Sequence, residues 1–247
     1  MEIDFVILSG VNLLAGLFDT VMPFFDPFRT LNQKPFPGAI LDIMHPMVPH
    51  IAGAWWINEG AGSTVCDSGA YGNHGTLVGG ARHNYGGIEL DGITGYVTVP
   101  HKEILMPADG ITVIVRTRNL AVPALYDTIL MKTTDAGWGD GYGFYYTGSN
   151  TVGFFAQNYA RVATIMLSPQ QDNTLVGTYD GNRVRIFANG IEGASFATTG
   201  IITPNTAPLE LGRGRDNAYN INGILIWIQI LNLALDRDSA RQLSSFQ

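Results

Sequence analysis

The segment Trp138-Gly139-Asp140-Gly141-Tyr142-Gly143-Phe144-Tyr145-Tyr146 is rich in glycine and aromatic side chains. Sugar-binding sites combine aromatic faces with a few carboxylate or amide groups that bond hydroxyls. Trp138 and Asp140, joined by Asn158 and Tyr159 further on, form a candidate ligand-binding set of that kind. The simpler and preferred account of the same residues is a core strand in which Tyr and Phe merely pack. Other chemistry finds less support. There is no Gly-x-Ser-x-Gly elbow and no His-Glu-x-x-His pair. The five histidines, at 45, 50, 74, 83 and 101, lack the spacing of metal ligands. The six glutamates include no convincing acid–base pair. The single cysteine, Cys66, rules out an intramolecular disulfide and is expected as a small core hydrophobe.

Composition narrows the class of fold that must position these residues. Hydrophobic residues make up 46% of the 247, enough for a sizeable core. Charged residues make up only 14%, against roughly 25% in an average soluble domain. With 30 glycines, this suits short strands and tight turns better than a helical bundle. The net charge of -7 and the absence of a basic run argue against nucleic acid as a partner. The first 28 residues hold no Lys or Arg but four acids, Glu2, Asp4, Asp19 and Asp26. A secretory signal would begin with positive charge. The apolar run from Phe5 to Phe18 is interrupted by Gly10 and Gly16 and is shorter than the roughly 20 residues of a membrane span. Neither a signal nor a membrane segment is expected.

Two zones follow. Residues 1–44 are expected as a hydrophobic arm. A short helix is expected around residues 10–21, with Ser9 as its cap. The Pro-containing stretches Met22–Phe28 and Lys34–Gly38 cannot hold a regular ladder or helix. The arm either straps across its own domain or inserts into a neighbouring subunit, with Phe24, Phe25, Phe28 and Phe36 as the partner-binding residues. Residues 45–247 form the second zone. Strands are expected at Ile51–Ile57, Gly87–Leu90, Tyr96–Val99, Ile111–Arg116, Thr128–Met131, Tyr142–Tyr146, Thr151–Gln157, Asn173–Tyr179, Arg183–Ala188, Leu209–Gly212 and Gly223–Leu231. Asn189-Gly190 marks a hairpin turn. Asp236 caps a last helix over Arg237–Leu243. Many short strands without alternating helices predict an antiparallel sandwich.

A family resemblance rests on particular blocks. His45-Pro46-Met47 leads into Gly53-Ala54-Trp55-Trp56-Ile57-Asn58-Glu59-Gly60-Ala61-Gly62, then Val65-Cys66-Asp67-Ser68-Gly69 and Gly72-Asn73-His74-Gly75-Thr76-Leu77. Leu90-Asp91-Gly92, Tyr96–Pro100, Val184–Gly190 and Leu231–Leu235 follow in order. Together they resemble the laminin-G-like domain of the concanavalin A-like lectin/glucanase group. That resemblance implies an all-β, antiparallel jelly-roll sandwich with a short C-terminal helix. Trp55 and Trp56 would face opposite sides of one strand, one in the core and the other covered, for instance by the arm.

The resemblance also supplies expectations about sites. Glucanases of this group carry a Glu-x-Asp-x-x-Glu strand whose carboxylates share the acid and nucleophile roles. The nearest match is Glu89-Leu90-Asp91, and the third position falls on Thr94, so no catalytic residue is assigned. A structural calcium ion would be held by Glu59, Asp67 and Asn73, although the last strand offers Ile226 where the family places an aspartate. The alternative for Asp67 is that it caps its own turn, and His74 is expected to fix that turn by hydrogen bonds. The His-Pro opening is similar to versions of the domain in virion proteins of tailed bacteriophages. It implies a non-enzymatic structural or decoration protein, made in the host cytoplasm and carried on the virion. Its arm, together with the Gly223–Leu231 face, would dock to capsid proteins or to further copies of itself. A carbohydrate-binding adhesin touching host glycans is the alternative.

Overall fold

The structure, a computed structural model, describes residues 24–25, 40–41 and 46–245, apart from 85, 135, 136, 216 and 217. Two antiparallel sheets make the body. One has eight strands in the order Val162–Met166, Thr151–Ala156, Tyr142–Gly148, Thr128–Lys132, Leu209–Leu211, Tyr96–Val99, Gly75–Val78 and Thr64–Val65. The other has nine. Its main path runs Ile191–Glu192, Arg183–Ala188, Asp172–Tyr179, Ile111–Asn119, Asn222–Leu231, Gly87–Asp91 and Arg82–Asn84. Phe196–Ala197 pairs with Arg183–Ala188, and Ile51–Trp55 pairs with Asn222–Leu231.

Strand alternation builds the core between the sheets. Val97, Val99, Leu209, Leu211, Tyr142, Phe144 and Phe154 from the first sheet meet Val113, Val115, Leu175, Ile186 and Ile228 from the second. Ile111–Val115 is buried without interruption, which explains why its sequence alternates so poorly. The expected Asn189-Gly190 turn is present, with φ of 51° and 81°, the sign that a tight hairpin requires. Asp236 caps the helix Arg237–Ser244 by accepting from Ser239 N–H at 2.9 Å.

Six strands of the sandwich are not among those expected: Thr64–Val65, Gly75–Val78, Arg82–Asn84, Val162–Met166, Ile191–Glu192 and Phe196–Ala197. All are five residues or shorter, lie at or near sheet edges and are half exposed, so no apolar rhythm announces them.

One expectation is borne out and one corrected here. Trp55 is in the main core, as foreseen, and Trp56 is covered on the opposite face. It packs on Trp227, ring centroids 5.5 Å apart, in a cluster with Ala240 and Leu243 of the terminal helix. The Gly223–Leu231 segment is not a docking face. It is an interior strand paired on both edges, and Trp227 and Leu231 are buried in the helix-covered cluster.

The arm is described only at Phe24–Phe25 and Ile40–Leu41, which pair in parallel and join neither sheet of the sandwich. This corrects the expectation of no ladder in Met22–Phe28: the two residues that pair lie between Pro23 and Pro27, where both N–H groups are present. Phe28, Phe36 and the helix expected around residues 10–21 lie outside the described residues.

Candidate functional site

On the outer face of the eight-stranded sheet a second aromatic layer has formed. Tyr142, Phe144 and Tyr146 enter the core, so alternation turns Tyr145 outward, where it joins Met131 and Phe155. Gly143 lets the layer close, since a Cβ there would come 3.0 Å from the Phe155 ring. The loop after Thr128–Lys132 folds Trp138 back onto this layer. Its indole is parallel to Phe155, centroids 6.4 Å apart, and meets Tyr145 edge-on at 5.1 Å.

Three more tyrosines present edges to the same indole: Tyr126 at 5.7 Å, Tyr159 at 5.9 Å and Tyr219 at 5.7 Å. Edge-to-face contacts of this kind are favoured by the ring quadrupoles. With Gly137, these four side chains line an open depression of about 130 Å³. Trp138 is only 3% exposed, and its indole N–H is buried without a hydrogen-bond partner among the described residues. Tyr159 and Tyr219 form the exposed rim, at 37% and 41%.

The backbone around the depression is strained. Tyr126, Trp138 and Tyr219 have φ of 72°, 45° and 60°, where a bulky L-residue is an outlier. Each such residue costs on the order of 1–3 kcal/mol and persists only where surrounding structure enforces it. The enforcing bonds are visible. Tyr126 N–H donates to the Tyr146 carbonyl at 2.7 Å, and Tyr159 N–H donates to the Trp138 carbonyl at 3.1 Å. The Tyr145 hydroxyl donates to the Tyr159 carbonyl at 3.0 Å. Burial, followed by the neighbouring Tyr126 and Tyr159, raises the Tyr145 pKa to about 12, so it keeps its proton.

The expected set is therefore half assembled. Trp138 and Tyr159 line one depression, together with Tyr126 and Tyr219, which sequence reasoning missed. Asp140 and Asn158 are not among its lining residues. The Asp140 carboxylate accepts from Thr134 N–H at 2.9 Å and from the Thr134 hydroxyl. Asn158 accepts from Ala160 N–H at 2.8 Å. Both short polar side chains are used to shape their own loops.

The proposed calcium ligands are neighbours in the fold but are largely occupied. Asp67 Oδ1 accepts from Ala54 N–H at 2.8 Å and Gly69 N–H at 2.7 Å, and Oδ2 from Asn73 N–H at 2.7 Å. His74 Nδ1 accepts from Asp67 N–H at 3.0 Å, the turn-fixing role expected of it. Glu59 Oε1 accepts from Cys66 N–H at 2.6 Å. Glu59 Oε2 and Asn73 Oδ1 are left buried without a hydrogen-bond partner among the described residues. Two such oxygens fall short of the six to eight that calcium takes. The described residues hold no group of three or more His, Cys, Asp or Glu able to bind a metal. On this geometry the set does not fit a calcium cage, and Asp67 serves as an anchor for backbone donors.

The remaining reactive groups are also committed. Glu89 pairs with Arg82 and accepts from the Asn84 amide at 2.6 Å. Asp91 Oδ1 accepts from Ile93, Thr94 and Gly95 N–H at 2.9, 2.9 and 2.7 Å. Burial pushes its pKa up, but these bonds outweigh burial and hold it down at about 2. Lys132 is wholly buried, donates to the Ala207 carbonyl at 2.6 Å and lies 3.0 Å from His101 Nδ1. Burial and then the Arg215 charge bring its pKa down to about 8, but no substrate can reach it. Cys66 is exposed, which corrects its expected place in the core. Val65 and Asp67 take the inward positions, and alternation leaves Cys66 outside. Burial and the adjacent Glu59 raise its pKa, the opposite of an activated thiol.

Several solved structures share this sandwich. One is a botulinum neurotoxin type C chain whose cell entry depends on interaction with two ganglioside molecules, at TM-score 0.63 and 16% identity. The match covers 81% of this chain and 52% of the toxin chain, so this chain spans about half that length. Another is domain 4 of AbnA, an extracellular arabinanase from Geobacillus stearothermophilus in complex with arabinotriose. Its TM-score is 0.62 at 16% identity, with 79% of this chain and 98% of that one covered. A third is the Trypanosoma rangeli sialidase in complex with 2,3-difluorosialic acid as a covalent intermediate. Its TM-score is 0.62 at 14% identity, with 79% and 33% covered. The fold thus recurs as part of a toxin chain, as one domain of an arabinanase and within a third of a sialidase chain. Comparison with curated proteins gives no match. The Laminin_G_3 family model, described as the concanavalin A-like lectin/glucanases superfamily, matches residues 91–240. With more than half of its 247 residues matched and two antiparallel sheets forming the expected sandwich, the chain belongs to the concanavalin A-like lectin/glucanases superfamily.

Proposed function

We propose that this chain is a non-enzymatic glycan-binding module that takes a sugar into the depression lined by Tyr126, Trp138, Tyr159 and Tyr219. The observation that carries this reading is the clustering of strain and an unused donor at one place. Three of the four aromatic lining residues hold positive φ, and the buried Trp138 N–H has no partner among the described residues. A pyranose supplies what both features lack. Its C–H face packs on the exposed Tyr159 and Tyr219 rings, and a small outward shift of Trp138 would bring the buried indole N–H to a hydroxyl or ring oxygen. The tyrosine hydroxyls at the rim donate and accept in turn. The glycan ligands named for the three neighbouring structures support the reading by analogy of fold. The absence of catalysis is supported by Glu89 and Asp91, whose oxygens serve Arg82, Asn84 and the Asp91–Gly95 turn.

Glycan-array screening followed by calorimetry tests the reading. Tyr219→Ala and Tyr159→Ala are expected to weaken binding at least about tenfold while the fold is retained. Binding that survives both substitutions unchanged would place the ligand elsewhere.

A second reading concerns where the module works. We propose that it is carried on the virion of a tailed phage, docked through residues 1–44 to capsid proteins or to further copies of itself. Its support is the Phe24–Phe25 and Ile40–Leu41 ladder, which pairs with neither sheet of the sandwich. Deleting residues 1–44 is expected to abolish incorporation into particles. Full occupancy by the truncated chain would end this reading.

A further inference from the structure

Five large exposed apolar side chains gather at one end of the sandwich, beside the depression. They are Ile93 at 74% exposure, Leu120 at 42%, Val122 at 69%, Leu125 at 52% and the rim residue Tyr219. Three loops are tied together there. Leu120 N–H donates to the Asn222 carbonyl at 3.0 Å, and Thr128 N–H donates to the Tyr219 carbonyl at 2.9 Å. The Asn220 amide donates to the Ile93 carbonyl at 3.0 Å. The apolar tips are therefore held in place before any partner arrives, which lowers the ordering cost of binding.

The tips carry no charge. Ile93 stands in Gly92-Ile93-Thr94-Gly95, and the other aliphatic residues stand in Leu120-Ala121-Val122-Pro123-Ala124-Leu125-Tyr126. The next residue, Asp127, turns its carboxylate back to accept from Ala124 N–H at 2.8 Å. Burial raises its pKa, with that bond opposing. The nearest described acids, Asp91 and Asp127, thus turn their carboxylates onto backbone N–H groups of their own loops rather than out among the tips. Contiguous exposed apolar surface marks an interaction site, and a neutral tip suits the hydrocarbon boundary of a bilayer. Tyr126 and Tyr219 stand between the tips and the depression, and rings with polar ends favour that level of a membrane interface.

We propose that the Ile93, Leu120, Val122 and Leu125 tips enter a lipid surface, so that the sugar read in the depression is the headgroup of a glycolipid. This rests on the glycan reading of the depression. A headgroup projecting from the bilayer meets Trp138 while the tips occupy the layer beneath it.

The test uses the full chain with phosphatidylcholine vesicles carrying galactosylceramide, lactosylceramide or a ganglioside, one at a time. Bare phosphatidylcholine vesicles and the matching soluble oligosaccharides are the controls. The double substitution Val122→Asp, Leu125→Asp is expected to weaken glycolipid-vesicle binding about tenfold or more, with soluble-sugar affinity within about twofold. Val122→Ser, Leu125→Ser provides a milder pair if the first disturbs folding. Undiminished vesicle binding by the folded variants overturns the proposal. So does failure of the native chain to bind any vesicle, or equal affinity for the same glycan on a soluble glycoprotein. Binding to bare vesicles without any sugar binding would instead overturn the glycan reading and leave the lipid-entering tips standing.

Discussion

Two aromatic clusters stand outside the main core, one on each sheet, and they end differently. On the nine-stranded sheet, Trp56 and Trp227 are covered by Ala240 and Leu243 of the terminal helix. On the eight-stranded sheet, Trp138 is ringed by tyrosines, and the ring is left open as a depression. Positive φ occurs beside both: Ile57 next to Trp56 at 52°, and Tyr126, Trp138 and Tyr219 around the depression. Neither aromatic content nor a single strained residue therefore sets the two apart. Cover does, because a sealed cluster lowers free energy by excluding water, whereas three strained aromatics around one open depression persist only where surrounding structure enforces them.

The comparison breaks most readily at the sealed cluster. Trp227→Ala is expected to cost about 3–5 kcal/mol of stability in denaturant unfolding, with no specific effect on sugar binding. A loss below about 1 kcal/mol would mean that the helix cover is not structural. At the open cluster the balance should invert. Combining Tyr159→Ala with Tyr219→Ala should weaken glycan binding by about 1.4 kcal/mol or more, while stability changes by about 1 kcal/mol or less. If both substitutions act on stability alone, the depression is only packing.

Asp236→Ala removes the helix cap and should cost about 1 kcal/mol. Amide exchange should then quicken in Arg237–Ser244 and leave the loops around Trp138 unchanged. A pH titration separates the two ends further. Asp91 has a folded pKa of about 2 against an ordinary 3.8, so the native state binds fewer protons. Its contribution is complete above the ordinary value and is lost as pH falls from there towards about 2. Acid should loosen the Asp91–Gly95 turn before the helix-covered face, and Asp91→Asn should blunt that limb. The smallest effect expected is from calcium. Chelation should move Tm by less than about 1 °C, because ligand-linked stabilisation needs a bound site. A drop of several degrees, removed by Glu59→Gln, would show that the two unpartnered oxygens hold an ion.

Legibility in the sequence followed burial. Tyr96–Val99 and Arg183–Ala188 match their expected bounds, and the Asp236 cap was visible from side-chain type alone. The edge strands Arg82–Asn84 and Phe196–Ala197 were not, because half-exposed short strands carry no apolar alternation. The site was half legible. Trp138 and Tyr159 stood out as local aromatic density, but Tyr126 and Tyr219 lie 12 residues before and 81 residues after Trp138 in the chain. Nothing local links them. A faint signal was present in the uncharged run Leu120–Tyr126, too apolar for an ordinary surface loop. Asp140 and Asn158 misled because short polar side chains look alike whether they face a ligand or close their own turn. The family match also begins at Asp91, so the opening block from His45 to Leu77, although it suggested the family, lies outside the matched residues.

Sequence by itself determined the class of fold, its turns and its last helix. These depend on local φ preferences, side-chain caps and strand alternation, which are properties of neighbouring residues. Tertiary structure decided which aromatic cluster is sealed and which borders an open depression, and that Asp67 serves backbone donors. It also decided that loops distant in the chain share one strained aromatic rim. Those outcomes depend on which sheet face a helix happens to cover and on hydrogen bonds closed across long separations, and no run of neighbouring residues encodes either.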